Sequence, residues 1–93
     1  MQVKLFHPTQ RNTPLIGVRL AKAYRDWFEL YFSYDTIIAF QEAGREVTVT
    51  HNIWSSTTGR HLNEIDGGEK KDRVDHNTFQ KQLGEALERF FNA

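Results

Sequence analysis

The order of apolar and polar positions along the chain predicts a β-sheet followed by a helix. Between residues 15 and 34 apolar side chains recur at every second position, with Lys22 as an exception. Alternation at period two is typical of strands that bury one face. The even-numbered set comprises Ile16, Val18, Leu20, Tyr24, Phe28, Leu30, Phe32 and Tyr34. We therefore expect two strands joined by a turn near Tyr24-Arg25-Asp26.

A helix is the alternative for residues 15–27. Apolar residues of this segment also fit helical spacing, with Thr13 as a candidate N-cap and Pro14 in the first turn. They are Ile16, Leu20, Ala23, Tyr24 and Trp27. We favour the strand because the even-numbered pattern resumes after Lys22 and continues to Tyr34.

Shorter patterns predict the segments before and after these two strands. Residues 1–6 alternate weakly, and the two prolines in residues 7–14 indicate a loop. Short polar side chains at 33–36 break the strand, and residues 36–41 then form an apolar run typical of a central strand.

A hairpin and a further strand are expected next. Residues 42–45 predict a tight hairpin loop in which Gly44 takes a positive φ. Residues 46–53 show the cleanest alternation in the chain, and we predict a strand there.

The C-terminal part predicts an amphipathic helix. Asp75 or Asn77 is the expected cap, and Asn77 with Gln80 has the spacing of a capping box. Gly84 interrupts the helix, and close approach of its backbone to the sheet would explain it. One helical stripe contains Phe79, Leu83, Ala86, Leu87 and Phe90, and we expect it to pack on the sheet.

These elements predict an α+β fold: an antiparallel β-meander of three to five strands with a C-terminal helix packed on one face. Residues 1–93 are expected to form a single domain. Its parts are an N-terminal strand or arm and loop (1–14), the meander (15–54), a polar turn and short helix (55–66), a mobile linker (67–74) and the C-terminal helix (75–92).

The composition of the chain argues against several classes of function. The formal net charge is zero, which argues against binding to nucleic acid or anionic lipid through bulk charge. Cysteine is absent, which excludes disulfides and thiolate metal sites. No segment approaches the ~18 apolar residues of a membrane span. We expect a protein of the cytoplasm.

The histidines do not form a recognisable metal or catalytic motif. His51, His61 and His76 lack the spacing of an HxxxH or HExxH site, and no GxSxG sequence is present. The sequence therefore predicts no catalytic residues, no metal and no cofactor.

A hydroxyl-rich segment is one candidate site. Residues 55–58 are four consecutive Ser and Thr residues, and Arg60, His61 and Asn63 follow them. Hydroxyls and a guanidinium at a turn can bind an anion, but they can also cap a helix. Because a short helical turn would bring Thr58 and His61 onto one face, we favour a structural turn and leave a polar site open.

An aromatic face is the other candidate. Trp27 and Tyr31 lie at odd-numbered positions of the predicted sheet, opposite the core side chains, and Trp54 joins them if it turns outward. Arg19 and Arg25 share this parity. Such a face can stack bases or bind a protein partner, or be covered by a second subunit. The complete set of candidate binding residues is Trp27, Tyr31, Trp54, Ser55, Thr57, Thr58, Arg60, His61 and Asn63.

About a third of the chain resembles a group of small uncharacterised proteins encoded by phages, archaeal viruses and plasmids. The shared pattern is a Tyr-x-Thr-x-x-Ala strand, here residues 34–39, followed by Ser-x-Thr-Thr-x-x-His, here residues 55–61. The resemblance implies a mobile-element origin and a location in the host cytoplasm, but it implies no activity. The polar positions of the shared pattern are Thr36, Ser55, Thr57, Thr58, His61 and Asn63.

We therefore expect a small non-enzymatic interaction protein of a phage or other mobile element that binds a host protein, with an anti-defence inhibitor as one form. The alternative is a small nucleic-acid-binding protein that uses the aromatic sheet face. A homodimer is compatible with the sequence, and a membrane location is not expected.

Overall fold

The structure, a computed structural model, describes residues 1–9 and 14–92. Within these residues it contains a five-stranded antiparallel sheet in the order β1-β2-β3-β4-β5. The strands are β1 (Gln2–Phe6), β2 (Leu15–Ala23), β3 (Asp26–Ser33), β4 (Thr36–Glu42) and β5 (Thr48–Val49). Two helices follow, α1 (Ser56–Asp66) and α2 (His76–Asn92), with a 3₁₀ turn at Lys70–Asp72 between them. The predicted α+β meander with a C-terminal helix is confirmed.

The first two hairpin turns lie at the breaks in the apolar alternation, near residues 24–26 and 33–36. Tyr24 and Arg25 connect β2 to β3, so residues 15–27 form strands and not a helix. The second turn places Tyr34 at a φ of 57°, and its N–H donates to the Pro14 carbonyl. Thr13, the candidate N-cap of the rejected helix, and residues 10–12 of the predicted loop lie outside the described residues.

The helices pack on opposite faces of the sheet. On the first face, α2 buries Phe79, Ala86 and Phe90 against Phe28 and Phe40. On the second face, α1 buries Leu62 in a separate cluster with Leu15, Ile38, Ala39 and Val49. Adjacent residues of a regular strand point to opposite faces, yet Ile38 and Ala39 share one cluster. The register of the β3–β4 pairing shifts between Tyr31 and Phe32, next to these two residues, as it does at a β-bulge.

The predicted strand over residues 46–53 is wrong in extent. Regular pairing covers Thr48–Val49, and the next residue, Thr50, makes a parallel bridge with Val74. The His51 N–H donates to the Val74 carbonyl, and the Val74 N–H donates to the Val49 carbonyl. Residue 74, expected in a mobile linker, therefore completes the hydrogen bonding of β5.

Two further expectations about the helices are wrong. The polar turn and short helix expected over residues 55–66 are one continuous helix, because α1 begins at Ser56 and continues to Asp66. Gly84 is exposed, and a Cβ built there would meet no atom within 4 Å, so close approach to the sheet does not explain it. Of the two candidate caps, the carboxylate of Asp75 accepts from the N–H groups of Asn77 and Thr78. Neither helix in the described part of the chain is long and apolar enough to cross a membrane.

Candidate functional site

A concave surface lies on the second face of the sheet, where α1 does not cover β1, β2 and β3. It has a volume of about 890 Å³ and is open to solvent. We call it the groove. Its lining residues are Met1, Gln2, Lys4, Phe6, Arg19, Ala21, Lys22, Ala23, Tyr24, Trp27 and Glu29.

A linked set of side chains holds one wall of the groove in place. Arg19 Nε donates to Glu29 Oε2 at 2.6 Å, and the Tyr31 hydroxyl donates to Glu29 Oε1 at 2.9 Å. The Arg19 guanidinium lies 4.3 Å from the centre of the Trp27 ring. Burial and the hydrogen bond to Glu29 raise the pKa of Tyr31, so its hydroxyl remains a donor. Both oxygens of Glu29 are therefore bonded, and the orientation of Arg19 is fixed.

Positive charge in the groove exceeds negative charge. Lys4 faces Arg19 across the β1–β2 pair, and Arg19 faces Glu29 across the β2–β3 pair, so the three charges form a row. Lys22 points elsewhere, because its ammonium group bonds to the Phe90 carbonyl near the end of α2 and lies 4.7 Å from the Phe90 ring centre. Lys4 is exposed, and it lies beside an arginine whose charge Glu29 already balances.

Phe6 forms one end of the groove. Its ring lies over Gly17, where an added Cβ would come within 2.3 Å of the ring. The same ring meets Tyr31 edge-on, with the ring centres 6.1 Å apart. Gly17 is thus the position that lets β1 place an aromatic ring close to the backbone of β2.

The hydroxyl-rich segment forms the start of α1. Ser55 is the N-cap, and its hydroxyl accepts from the Thr58 N–H at 3.5 Å. Asn52 fixes the approach to the helix, since its side chain accepts from the Trp54 N–H and donates to the Ser55 carbonyl. Thr57 and Thr58 are half-buried and Arg60 is exposed. These contacts favour the structural interpretation of this segment.

His61 lies inside the protein and not on its surface. Its side chain is fully buried, and its Nδ1 shares a 2.5 Å hydrogen bond with the hydroxyl of Ser33 on β3. The ring also contacts Tyr34 at a centre distance of 5.9 Å. The imidazole is therefore held by a serine across the fold, where the sequence suggested Thr58 of the same helix.

The buried imidazole should make stability depend on pH. Burial lowers the pKa of His61 from its ordinary value of 6.5, and among the described residues its buried Nε2 has no hydrogen-bond partner. The unfolded chain therefore binds the proton more readily than the folded one. Stability is fully present above about pH 6.5 and should fall as the pH drops below that value.

Urea denaturation at pH 7.5 and pH 5.5 measures this effect. We expect His61→Gln to lose a smaller share of its unfolding free energy on acidification than wild type does. His51→Gln removes an exposed imidazole and is the matched control, for which the wild-type dependence is expected. An unchanged dependence in His61→Gln would contradict the assignment.

The remaining candidate residues lie apart from the groove. Trp54 is 39% exposed and meets the His76 ring edge-on at 5.1 Å. Asn63 accepts from the guanidinium of Arg73, which also bonds both carboxylate oxygens of Asp66. The structure thus places Trp27 and Tyr31 in one network and distributes the other candidates around α1.

Several groove residues were not predicted. Lys4, Phe6 and Glu29 became candidates only when the strand register was known, because each acts through a neighbour on another strand. The shared parity of Arg19 and Trp27 was the signal that the sequence did contain. In the described residues no group of three His, Cys, Asp or Glu side chains is placed to hold a metal ion.

Comparison with known proteins gives a family and no activity. Searches of curated proteins and of solved structures found no match. A family model matches residues 5–81, which include the last two residues of β1, the other four strands, α1 and the first turns of α2. The chain belongs to this family, described as a family of unknown function (DUF8033).

Proposed function

We propose that the protein is a small non-enzymatic interaction protein of a phage or other mobile element, and that it binds a host protein in the host cytoplasm. The observation that carries this proposal is the groove, an open surface on which Arg19 contacts both Trp27 and Glu29, while the Tyr31 hydroxyl bonds to the same Glu29 carboxylate. An anti-defence inhibitor is one form that such a protein takes.

The chemistry of the groove suits a protein partner. Trp, Tyr and Arg are the residues that contribute most to protein–protein binding, and side chains that are fixed beforehand lose less entropy on association. Arg19 is bonded to Glu29 through Nε, and its side chain is 41% exposed. Its terminal amino groups can thus meet a carboxylate or a carbonyl of a partner.

Nucleic-acid binding is the second candidate, favoured by the presence of Trp27 and Lys4 in the same groove. Single strands bind where bases stack on aromatic rings beside cations. Two features weaken this candidate. The Arg19 guanidinium covers one face of the Trp27 ring, and the Glu29 carboxylate would repel phosphates.

Capture from host lysate separates the two candidates. Tagged wild-type protein should retain a host protein after nuclease treatment, and Trp27→Ala should weaken binding of the purified partner at least tenfold, because interface hot spots contribute about 2 kcal/mol or more. Trp54→Ala changes a tryptophan outside the groove and should keep the wild-type affinity.

Other outcomes count against the proposal. Loss of all captured material on nuclease treatment would favour nucleic acid. Equal weakening by Trp27→Ala and Trp54→Ala, with both variants folded, would place the binding surface elsewhere.

A further inference from the structure

β1 forms an edge of the sheet and carries exposed apolar side chains. In the described residues no strand pairs with its outer side. Val3 and Leu5 are 65% and 70% exposed, and neither belongs to the core clusters. Their neighbours on β2 are Leu20 and Val18, which are half-buried. An unpaired edge with exposed apolar side chains is a template for another strand.

The two faces of this edge differ in chemistry. Val3 and Leu5 share a face with Leu20, which packs against the α2 cluster. Gln2, Lys4 and Phe6 lie on the opposite face and line the groove. A strand added at this edge would therefore meet apolar groups on one side and the Lys4 ammonium on the other.

We propose that the β1 edge binds an extended segment of the partner protein in which apolar and acidic residues alternate. This inference rests on the proposed function and specifies the partner. Backbone hydrogen bonds to β1 would supply affinity, and alternate side chains would supply specificity. Apolar residues of the added strand would cover Val3 and Leu5. Glu29 balances the charge of Arg19 but not that of Lys4, so an acidic residue opposite Lys4 would balance the remaining positive charge.

A second copy of the chain fits this edge less well. The antiparallel register that pairs both Val3 and Leu5 of each β1 with apolar side chains of the other β1 also places the two Lys4 side chains opposite each other. Like charges in directly opposed positions destabilise a strand pair. An acidic segment removes this conflict.

A peptide selection tests the inference without knowledge of the partner. Random twelve-residue peptides displayed on phage are selected on the full-length protein, and the enriched peptides are synthesised and titrated by calorimetry. We expect period-two alternation of apolar and acidic residues. Lys4→Glu should raise Kd at least tenfold, and peptides with Lys in place of the acidic residues should restore binding to that variant. Lys71→Glu, on the 3₁₀ turn, is the charge-matched control.

Backbone pairing is tested separately. A peptide N-methylated at alternate residues should lose binding, and hydrogen exchange should show protection of β1 amides by the unmodified peptide. The inference is overturned if no peptide is enriched, if enriched peptides lack alternation, or if affinity is insensitive to Lys4→Glu. Self-association in sedimentation experiments that Leu5→Lys abolishes would assign the edge to a second copy instead.

The capture experiment keeps the two proposals distinguishable. A host protein that binds in a Trp27-dependent but Lys4-independent way leaves the proposed function in place and removes the edge-strand inference. A peptide that binds β1 when no host protein is captured supports the edge-strand inference and counts against the proposed function.

Discussion

Phe79→Ala is expected to lower the free energy of unfolding by about 3–5 kcal/mol. Phe79 is 1% exposed and lies between α2 and the sheet, with its ring centre 5.6 Å from that of Phe40. Phe40 in turn stacks on Phe28 at 5.7 Å. Removing the ring loses its burial and leaves a cavity among aromatic groups that other rings hold in place. Urea denaturation at neutral pH measures the loss.

The control lies on the same helix. Phe91 is 54% exposed, and its ring meets Phe90 edge-on. Because most of this side chain is already in water, Phe91→Ala should cost less than about 1.5 kcal/mol, the upper range for an aromatic pair. Equal losses for the two variants would mean that α2 does not pack on the sheet through the Phe79 face.

The sheet was predictable from sequence because the pattern is long. The even-numbered apolar positions from Ile16 to Phe32 extend across two strands, and this parity outweighed the helical spacing of the first half. The short polar side chains at 33–36 supported the same division, and the structure has the break before β4 there, with Tyr34 at a positive φ. The amphipathic stripe predicted α2 by the same kind of argument, with the period of a helix.

The start of α1 was not predictable in the same way. Ser and Thr are weak helix formers and are common both in turns and at helix caps, so residues 55–58 did not show where the helix begins. What stabilises the helix is non-local: Leu62 is buried against Ile38 and Ala39, and His61 bonds to Ser33. Tertiary contacts therefore override the local preference of these residues.

The contacts within the groove were also only partly predictable from the sequence. Sequence parity placed Arg19, Trp27 and Tyr31 on one face, which the structure confirms. It did not give the neighbours of Arg19, because a pairing such as Arg19 with Glu29 depends on the register of the hairpin. The position of Lys4 beside Arg19 depends in addition on the register of β1 with β2, and the number of residues between these two strands does not fix that register.

Arg73→Ala is expected to destabilise the fold by about 3–5 kcal/mol, an effect as large as that of a core aromatic. The Arg73 side chain is 5% exposed and that of Asp66 is 11% exposed. The guanidinium bonds both oxygens of this carboxylate at 2.7 and 2.9 Å, and it donates to Asn63 at 2.9 Å. Without Arg73 the carboxylate at the end of α1 loses the charge that balances it and keeps the hydrogen bond from the Gly68 N–H.

The ionisation of Asp66 fits this arrangement. Burial alone would raise the pKa of Asp66, but the hydrogen bonds from Arg73 and from the Gly68 N–H outweigh it and hold the pKa below its ordinary value of 3.8. The pair therefore contributes stability at neutral pH, and this contribution is lost as the pH falls below about 3.8 through the folded-state value.

A double-mutant cycle separates the ion pair from the packing of the two side chains. We measure unfolding by urea for Arg73→Ala, Asp66→Ala and the double variant. Because the second substitution removes the group that the first leaves unpaired, the double variant should lose less than the sum of the single losses. Arg73 also precedes Val74, whose backbone completes β5, so part of the loss from Arg73→Ala should persist in the double variant. Strictly additive losses would show that the guanidinium and the carboxylate are not coupled.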